Sequence, residues 1–160
     1  MGRSDPIQGK PGTYAINALI CASDCKTGIP IADLDGNWIT LIRTAAMSAA
    51  AANYLAPAAQ TTIGFVGCGA QALSHLDAFV DLFPSLRRIY LLSRSATSAE
   101  RVAIAASKKG LNSMIVNDPG TLVSQSEIVV SMAPRLPDSK PFLDARLLPS
   151  PSFASSVESG

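Results

Sequence analysis

The sequence has no surplus of charge: thirteen Lys and Arg stand against twelve Asp and Glu in 160 residues. Without a basic field it has nothing to set against a phosphate backbone or an acidic membrane, so no nucleic-acid partner is expected. It has no uncharged apolar run near the ~20 residues a spanning helix needs, so no membrane partner is expected either. Residues Met1–Gly12 are polar, with Gly, Pro and charge, and read as a loop or tail rather than a signal peptide. Cysteine is scarce. Cys21, Cys25 and Cys68 cannot all pair and match no zinc spacing, which predicts reduced thiols, a cytoplasmic setting and no metal. There is no internal repeat, and no low-complexity stretch beyond the alanines. What remains is a globular chain of one to one-and-a-half domains.

Thr13–Ala22 is an apolar run of strand length, and Ser23–Gly28 is turn chemistry. Ile29–Leu34 and Asn37–Ile42 then read as two short strands around Asp35-Gly36, a pair suited to a type I′ hairpin turn, with Trp38 packing at the hairpin. Arg43–Ala56 is about half alanine, the strongest helix former, and Pro57 closes the helix. From Thr61 onward strands alternate with helices. The strands are Thr62–Val66, Arg88–Leu92, Ser113–Val116, Ile128–Met132 and Phe153–Val157. The helices are Ala70–Phe83, Thr97–Lys109 (with a capping box in Thr97 and Glu100, and Gly110 at its end) and a short one opened by Asp118-Pro119. This alternation predicts an α/β, Rossmann-type parallel sheet with right-handed crossovers, preceded by a partial hairpin segment.

The loop Gly67-Cys68-Gly69-Ala70-Gln71-Ala72 lies between the first of these strands and the first helix. That context turns a weak Gly-x-Gly-x-x-Ala pattern into a dinucleotide-binding signal. Gly67 permits the tight turn, Gly69 lets a pyrophosphate approach the backbone, and Ala72 allows close packing of helix on strand. The helix N-terminus, with Ala70 and Gln71, then offers free N–H groups to the phosphates. An NAD-specific domain carries a carboxylate about 20 residues further on. Here the second strand is followed by Ser93-Arg94-Ser95, and no carboxylate occurs until Glu100. Arg94 is a cation for a 2′-phosphate, and Ser93, Ser95 and Thr97 are hydrogen-bond donors beside it. NADP(H) is the expected cofactor, with NAD(H) possible; the alternative is a solvated surface arginine. Asn117-Asp118-Pro119 follows the third strand, where an adenine ring can rest.

The helix Arg43-Thr44-Ala45-Ala46-Met47-Ser48, followed by the loop with Gln71 after its second glycine, resembles the ornithine cyclodeaminase/μ-crystallin family. Lys26-Thr27-Gly28-Ile29-Pro30 and Trp38-Ile39-Thr40 fit the same likeness, which runs from about Thr13 to the end. The resemblance implies two domains, one binding NAD(P) and one binding substrate and forming a homodimer. It implies hydride transfer at an amine or imine carbon of an amino acid or cyclic imine. It assigns Arg43 to the substrate carboxylate or the cofactor phosphates, Thr44 to the cofactor, and Ser131-Met132-Ala133 to the stretch facing the nicotinamide. On this reading residues 1–42 are a remnant of the substrate and dimerisation domain, and 43–160 an incomplete Rossmann domain.

The chain also departs from the family. Family enzymes are roughly twice as long and carry a catalytic lysine upstream of the segment present here; Lys10 lies too close to the Thr13 strand to match it. Cyclodeaminases use an Asp after the last strand, where this chain offers Glu158. A lone hairpin has open edges, so dimerisation through it, or poor solubility, is expected. His75 reads as structural. Cys68 reads as a small loop-filling residue, with a redox role as the alternative because a helix N-terminus can lower a thiol pKa. Three functions stay open: an NAD(P)(H)-linked oxidoreductase or deaminating cyclase, a non-catalytic dinucleotide-binding module, and an inactive fragment.

Overall fold

The structure is a computed structural model that describes residues 17–133 and 140–157. The chain divides into two compact units, with the division between Ile42 and Arg43.

In the first unit, β1 (Leu19–Ser23) pairs antiparallel with β2 (Pro30–Asp35), from Leu19 opposite Asp35 to Ser23 opposite Pro30. Asp24 builds the turn. Its carboxylate accepts from the Lys26 and Thr27 amides at 3.0 and 2.8 Å and from the Thr27 hydroxyl at 2.9 Å. Those bonds, the Thr27 amide foremost, hold the carboxyl below its usual range. Gly28, at φ +73°, donates back to the Asp24 carbonyl.

The hairpin is therefore not the expected one. Asp35-Gly36 does not join two strands, because Asn37 opens α1 (Asn37–Leu55). Gly36 is not among the positive-φ residues that a type I′ turn requires. Asp35 Oδ1 instead accepts from the Asn37 amide at 2.9 Å, and the Gly36 carbonyl takes the first helical bond, from the Thr40 amide. The same Asp-Gly pair serves as a helix start because β2 already has a strand partner in β1. Trp38 lies on the helix and is 67 % exposed, so it does not pack a hairpin.

The second unit contains a five-stranded parallel sheet in the order β5-β4-β3-β6-β7. Its strands are β3 (Thr62–Val66), β4 (Arg88–Leu92), β5 (Asn112–Ile115), β6 (Ile128–Ser131) and β7 (Phe153–Ser156). Counted from β3, this is the 3-2-1-4-5 order of the first five strands of a Rossmann sheet. The helices α2 (Gln71–Leu82), α3 (Ala96–Lys108) and α4 (Pro119–Gln125) form the crossovers. Alternate strand residues face alternate layers. Ile63, Phe65, Ile89, Leu91, Ile128 and Val130 join a core with Leu76 and Phe79 of α2 and Val102 of α3. Val66, Tyr90 and Val129 join a second core with Leu122 and Val123 of α4. Phe65 and Phe79 are fully buried, and truncating either to Ala costs about 3–5 kcal/mol. At Gly64 an added Cβ would meet Ser126 Oγ at 2.5 Å and Leu122 Cδ2 at 2.6 Å, so glycine sets how closely α4 approaches β3.

The helix starts differ in chemistry. Asp118 caps α4, accepting from the Thr121 amide at 2.7 Å, as expected. The α3 cap is Ser95, which accepts from the Ser98 amide, rather than the expected box of Thr97 and Glu100. Ser95 already has the extended backbone a cap needs (φ −106°, ψ 116°), which places Thr97 inside the helix. Gly110, at φ +82°, follows the end of α3. Below the sheet, Glu127 ties β6 to β3. Its carboxylate accepts from the Thr61 and Thr62 amides at 2.6 and 3.0 Å and from both threonine hydroxyls. Burial pushes this carboxyl upward, and the four hydrogen bonds together bring it below its usual value.

Candidate functional site

A cleft of about 920 Å³ opens beyond the C-terminal ends of β3, β4 and β6. The strand order reverses between β3 and its two neighbours, the place where open α/β sheets bind their ligands. Gly67, Cys68 and Gly69 line it after β3, Ser93, Arg94 and Ser95 after β4, Asn117 after β5, and Met132 and Ala133 after β6.

The phosphate loop is held from both sides of β3. The Gly67 amide donates to the Leu92 carbonyl at 2.8 Å, and the Met132 amide donates to the Val66 carbonyl at 2.7 Å. Gly67 has φ +90°, and a Cβ there would lie 2.9 Å from the Ala133 nitrogen. A side chain is therefore excluded by conformation and by space. Gly69 is the opposite case: a Cβ there would meet no protein atom within 4 Å. Its glycine leaves room for something outside the protein. Ala72, fully buried, lets α2 pack closely.

The start of α2 has no side-chain cap, whereas α3 and α4 have Ser95 and Asp118. The Ala72 amide donates to the Gly69 carbonyl at 3.3 Å, and the Ala70 and Gln71 amides are left for water or a ligand. Open space at Gly69, uncapped amides and a cation at the end of β4 together fit a diphosphate-bridged nucleotide. Among the described residues no group of three His, Cys, Asp or Glu side chains is placed to hold a metal ion, and no helix is long and apolar enough to cross a membrane.

Of the expected site residues, Gly67, Gly69, Ser93, Arg94, Ser95, Met132 and Ala133 line the cleft. Ala70 and Gln71 stand at the start of α2, Thr97 is exposed on the first turn of α3, and Ser131 is buried at the end of β6; none of the four lines the cleft. Arg43 is exposed and Thr44 half-buried on α1, also outside the lining. Glu158 and Lys10 lie outside the described residues.

The Cys68 thiol is buried, and burial pushes its pKa up to about 11 against the opposing pull of a Ser93 hydrogen bond and the Arg101 charge. A raised thiol pKa disfavours the redox alternative, because oxidation proceeds through the thiolate. His75 is buried and structural. Its Nδ1 lies 2.9 Å from the Gln71 carbonyl and its Nε2 3.2 Å from Ser48 Oγ.

Sequence reading missed Lys140, Phe142 and Leu143, which line the far wall of the cleft, and Arg101. Arg101 Nη2 donates to the Gly69 carbonyl at 3.1 Å and the Cys68 carbonyl at 3.4 Å. An exposed cation thirty-odd residues from a loop carries no local signal for such a contact. Among the described residues the lining contains two cations, Arg94 and Lys140, and no Asp or Glu.

Known proteins resemble the chain along most of its length. It is 31 % identical over 127 residues to a Δ1-pyrroline-2-carboxylate reductase of Bacillus cereus, covering 79 % of this chain and 39 % of that one. It is 36 % identical over 86 residues to the ketimine reductase mu-crystallin of Rattus norvegicus, covering 54 % of this chain and 27 % of the relative. The Δ1-pyrroline-2-carboxylate reductase of Thermococcus litoralis, solved in complex with NADH and L-proline, superposes with a TM-score of 0.81 at 25 % identity, covering 92 % of this chain and 45 % of that structure. The chain thus spans about two fifths of the length of the first curated relative and less than half of the solved one. The sequence profile of the ornithine cyclodeaminase/mu-crystallin family matches residues 3–148. With that match joined to a Rossmann sheet and its glycine loop, the chain belongs to the ornithine cyclodeaminase/mu-crystallin family.

Proposed function

We propose that residues 43–160 bind a nicotinamide dinucleotide, NADP(H) in preference to NAD(H), in an enzyme that transfers hydride at the amine or imine carbon of an amino acid or cyclic imine. The observation that carries this reading is the cleft beyond β3, β4 and β6, with Gly67 pressed on Ala133 and Gly69 facing open space. When bound, the nicotinamide supplies or accepts hydride. The chain's own residues do the rest. The amides at the start of α2 receive the diphosphate. Ser93, Arg94 and Ser95 receive the adenosine ribose and its 2′-phosphate, a cation here standing where NAD-specific sites place a carboxylate. Met132 and Ala133, which line the cleft after β6, would face the nicotinamide. Ala70, Gln71, Thr97 and Ser131 stay part of the proposed cofactor contact, at its margin.

Arg43 and Thr44 are proposed as the anion contacts on α1, Arg43 through its guanidinium fork. The first unit is proposed as part of the substrate and dimerisation domain of a homodimer. Every residue of β2 is exposed, and Leu19, Ile31 and Leu34 are bare apolar side chains. The unpaired thiols suit a reducing, cytoplasmic compartment.

A second reading, a dinucleotide-binding module without chemistry of its own, is favoured by one observation. Among the described residues the cleft lining holds no Asp, Glu or His to act as acid or base. Following NADPH absorbance with a cyclic imine carboxylate separates the two. Turnover supports the enzyme, and saturable cofactor binding without turnover supports the module. Absence of cofactor binding refutes both.

A further inference from the structure

Within the phosphate loop Gly67, Gly69 and Ala70 have no side chain that can hydrogen-bond, and the buried Cys68 thiol, bonded to Ser93, leaves the two carbonyls beyond it unheld by any side chain of the loop. Two glycines give such a loop more conformational freedom to lose on binding than any other residues would. The structure supplies a restraint from elsewhere. Arg101, on the second turn of α3, reaches across and donates from Nη2 to the Gly69 carbonyl at 3.1 Å and the Cys68 carbonyl at 3.4 Å.

We infer that Arg101 is a positioning residue that presets the phosphate loop for a diphosphate. The inference rests on the dinucleotide reading above, and its argument is the geometry of the peptide unit. In a planar trans peptide the C=O and the following N–H point in opposite directions. The Cys68 carbonyl shares its peptide with the Gly69 amide, and the Gly69 carbonyl with the Ala70 amide. The Gly69 carbonyl also accepts from the Ala72 amide at 3.3 Å, and drawing both carbonyls to one guanidinium holds both amides turned the other way. Among the described residues neither amide has a protein acceptor, so both stay available to a ligand. The guanidinium also places a positive charge behind the loop, where it polarises the same two peptides toward an anion. Arg101 is absent from the cleft lining, so it acts through the loop rather than on the ligand.

The test compares Arg101→Met and Arg101→Lys with the unaltered full chain, titrated with ADP, NADPH and adenosine. Adenosine lacks the diphosphate and serves as the internal control. The inference expects R101M to weaken ADP and NADPH about tenfold, the order of two charge-assisted hydrogen bonds redirected from ligand preorganisation to loop disorder. It expects unchanged adenosine affinity, a melting temperature near that of the parent, and most of the loss restored by R101K. Unaltered ADP affinity in R101M overturns it, and so does an equal loss for adenosine. If the parent chain binds neither ADP nor NADPH, the dinucleotide reading fails; if the parent binds and R101M binds equally well, only the role of Arg101 fails.

Discussion

His75 Nε2 lies 3.2 Å from Ser48 Oγ, which joins the helix after the phosphate loop to the alanine-rich helix that carries Arg43. A carbonyl can only accept, so the 2.9 Å contact with the Gln71 carbonyl places the proton on Nδ1. Nε2 is then an acceptor for the Ser48 hydroxyl, and Ser48 in turn accepts from Ser155 Oγ of β7 at 3.2 Å. With the imidazole neutral, the chain of bonds runs one way from Ser155 through Ser48 to His75.

Burial lowers the His75 pKa below its usual 6.5, and the backbone hydrogen bond only partly offsets this. The unfolded chain therefore takes up a proton in a pH range where the folded chain does not. Stability tied to His75 is complete above about pH 6.5 and is lost as pH falls from there through the folded value. His75→Phe is expected to cost about 1–2 kcal/mol at pH 7.5, through the lost Ser48 and Gln71 bonds. It is also expected to flatten the fall in melting temperature between about pH 6.5 and pH 5. Thermal melts of both proteins across that range check this. A parallel fall in the variant would assign the titration to another group.

The two glycines of the loop predict opposite phenotypes. Gly67→Ala forces a methyl group to within 2.9 Å of the Ala133 nitrogen at φ +90°, so it should lose both stability, by about 1–3 kcal/mol, and cofactor binding. Gly69→Ala meets nothing within 4 Å. It should melt with the parent yet bind dinucleotide at least about tenfold more weakly, because the methyl group fills the approach to the backbone. Melting curves and cofactor titrations on the pair decide it. Full binding by G69A would contradict the account.

Arg94 lines the cleft beside Ser93 and Ser95, with no carboxylate among the described lining residues. Arg94→Asp should remove a partner of the 2′-phosphate and supply one for a free ribose hydroxyl. The expected outcome is about a tenfold or greater loss for NADPH with NADH retained or improved. Fluorescence titration with both cofactors reads the ratio directly, and an unchanged ratio would make Arg94 a surface residue.

Cys21 and Cys25 are exposed, while Cys68 is buried with its pKa raised to about 11. A thiol reagent at pH 7.5 should therefore modify two of the three cysteines promptly and the third only on unfolding. Mass spectrometry of the labelled protein checks the count. Fast labelling of Cys68 would mean the loop opens far more readily than its packing implies.

The parts readable from sequence were those set by local chemistry. The strand Thr62–Val66 ends where a glycine must turn, and Asp118-Pro119 starts a helix whatever surrounds it, so both appear where expected. Asp35-Gly36 was misread because an aspartate before glycine serves equally well in a hairpin turn and at a helix start. Only the pairing of β2 with β1, a non-local fact, decides between them. Ser95 displaced Thr97 as cap for a related reason: three hydroxyls in five residues all qualify, and backbone dihedrals choose. The place of the glycines and Arg94 in the cleft lining was legible because strand-loop-helix order sets it. Arg101, Lys140 and Phe142 were not, since each reaches the loop or the cleft from a distant segment and looks like surface in one dimension.

Calorimetric titration of the folded chain with NADPH and NADH bears most directly on all of this. Saturable binding of one dinucleotide per chain, tighter for NADPH, is the predicted result. A well-folded chain that gives no binding isotherm with either would contradict it.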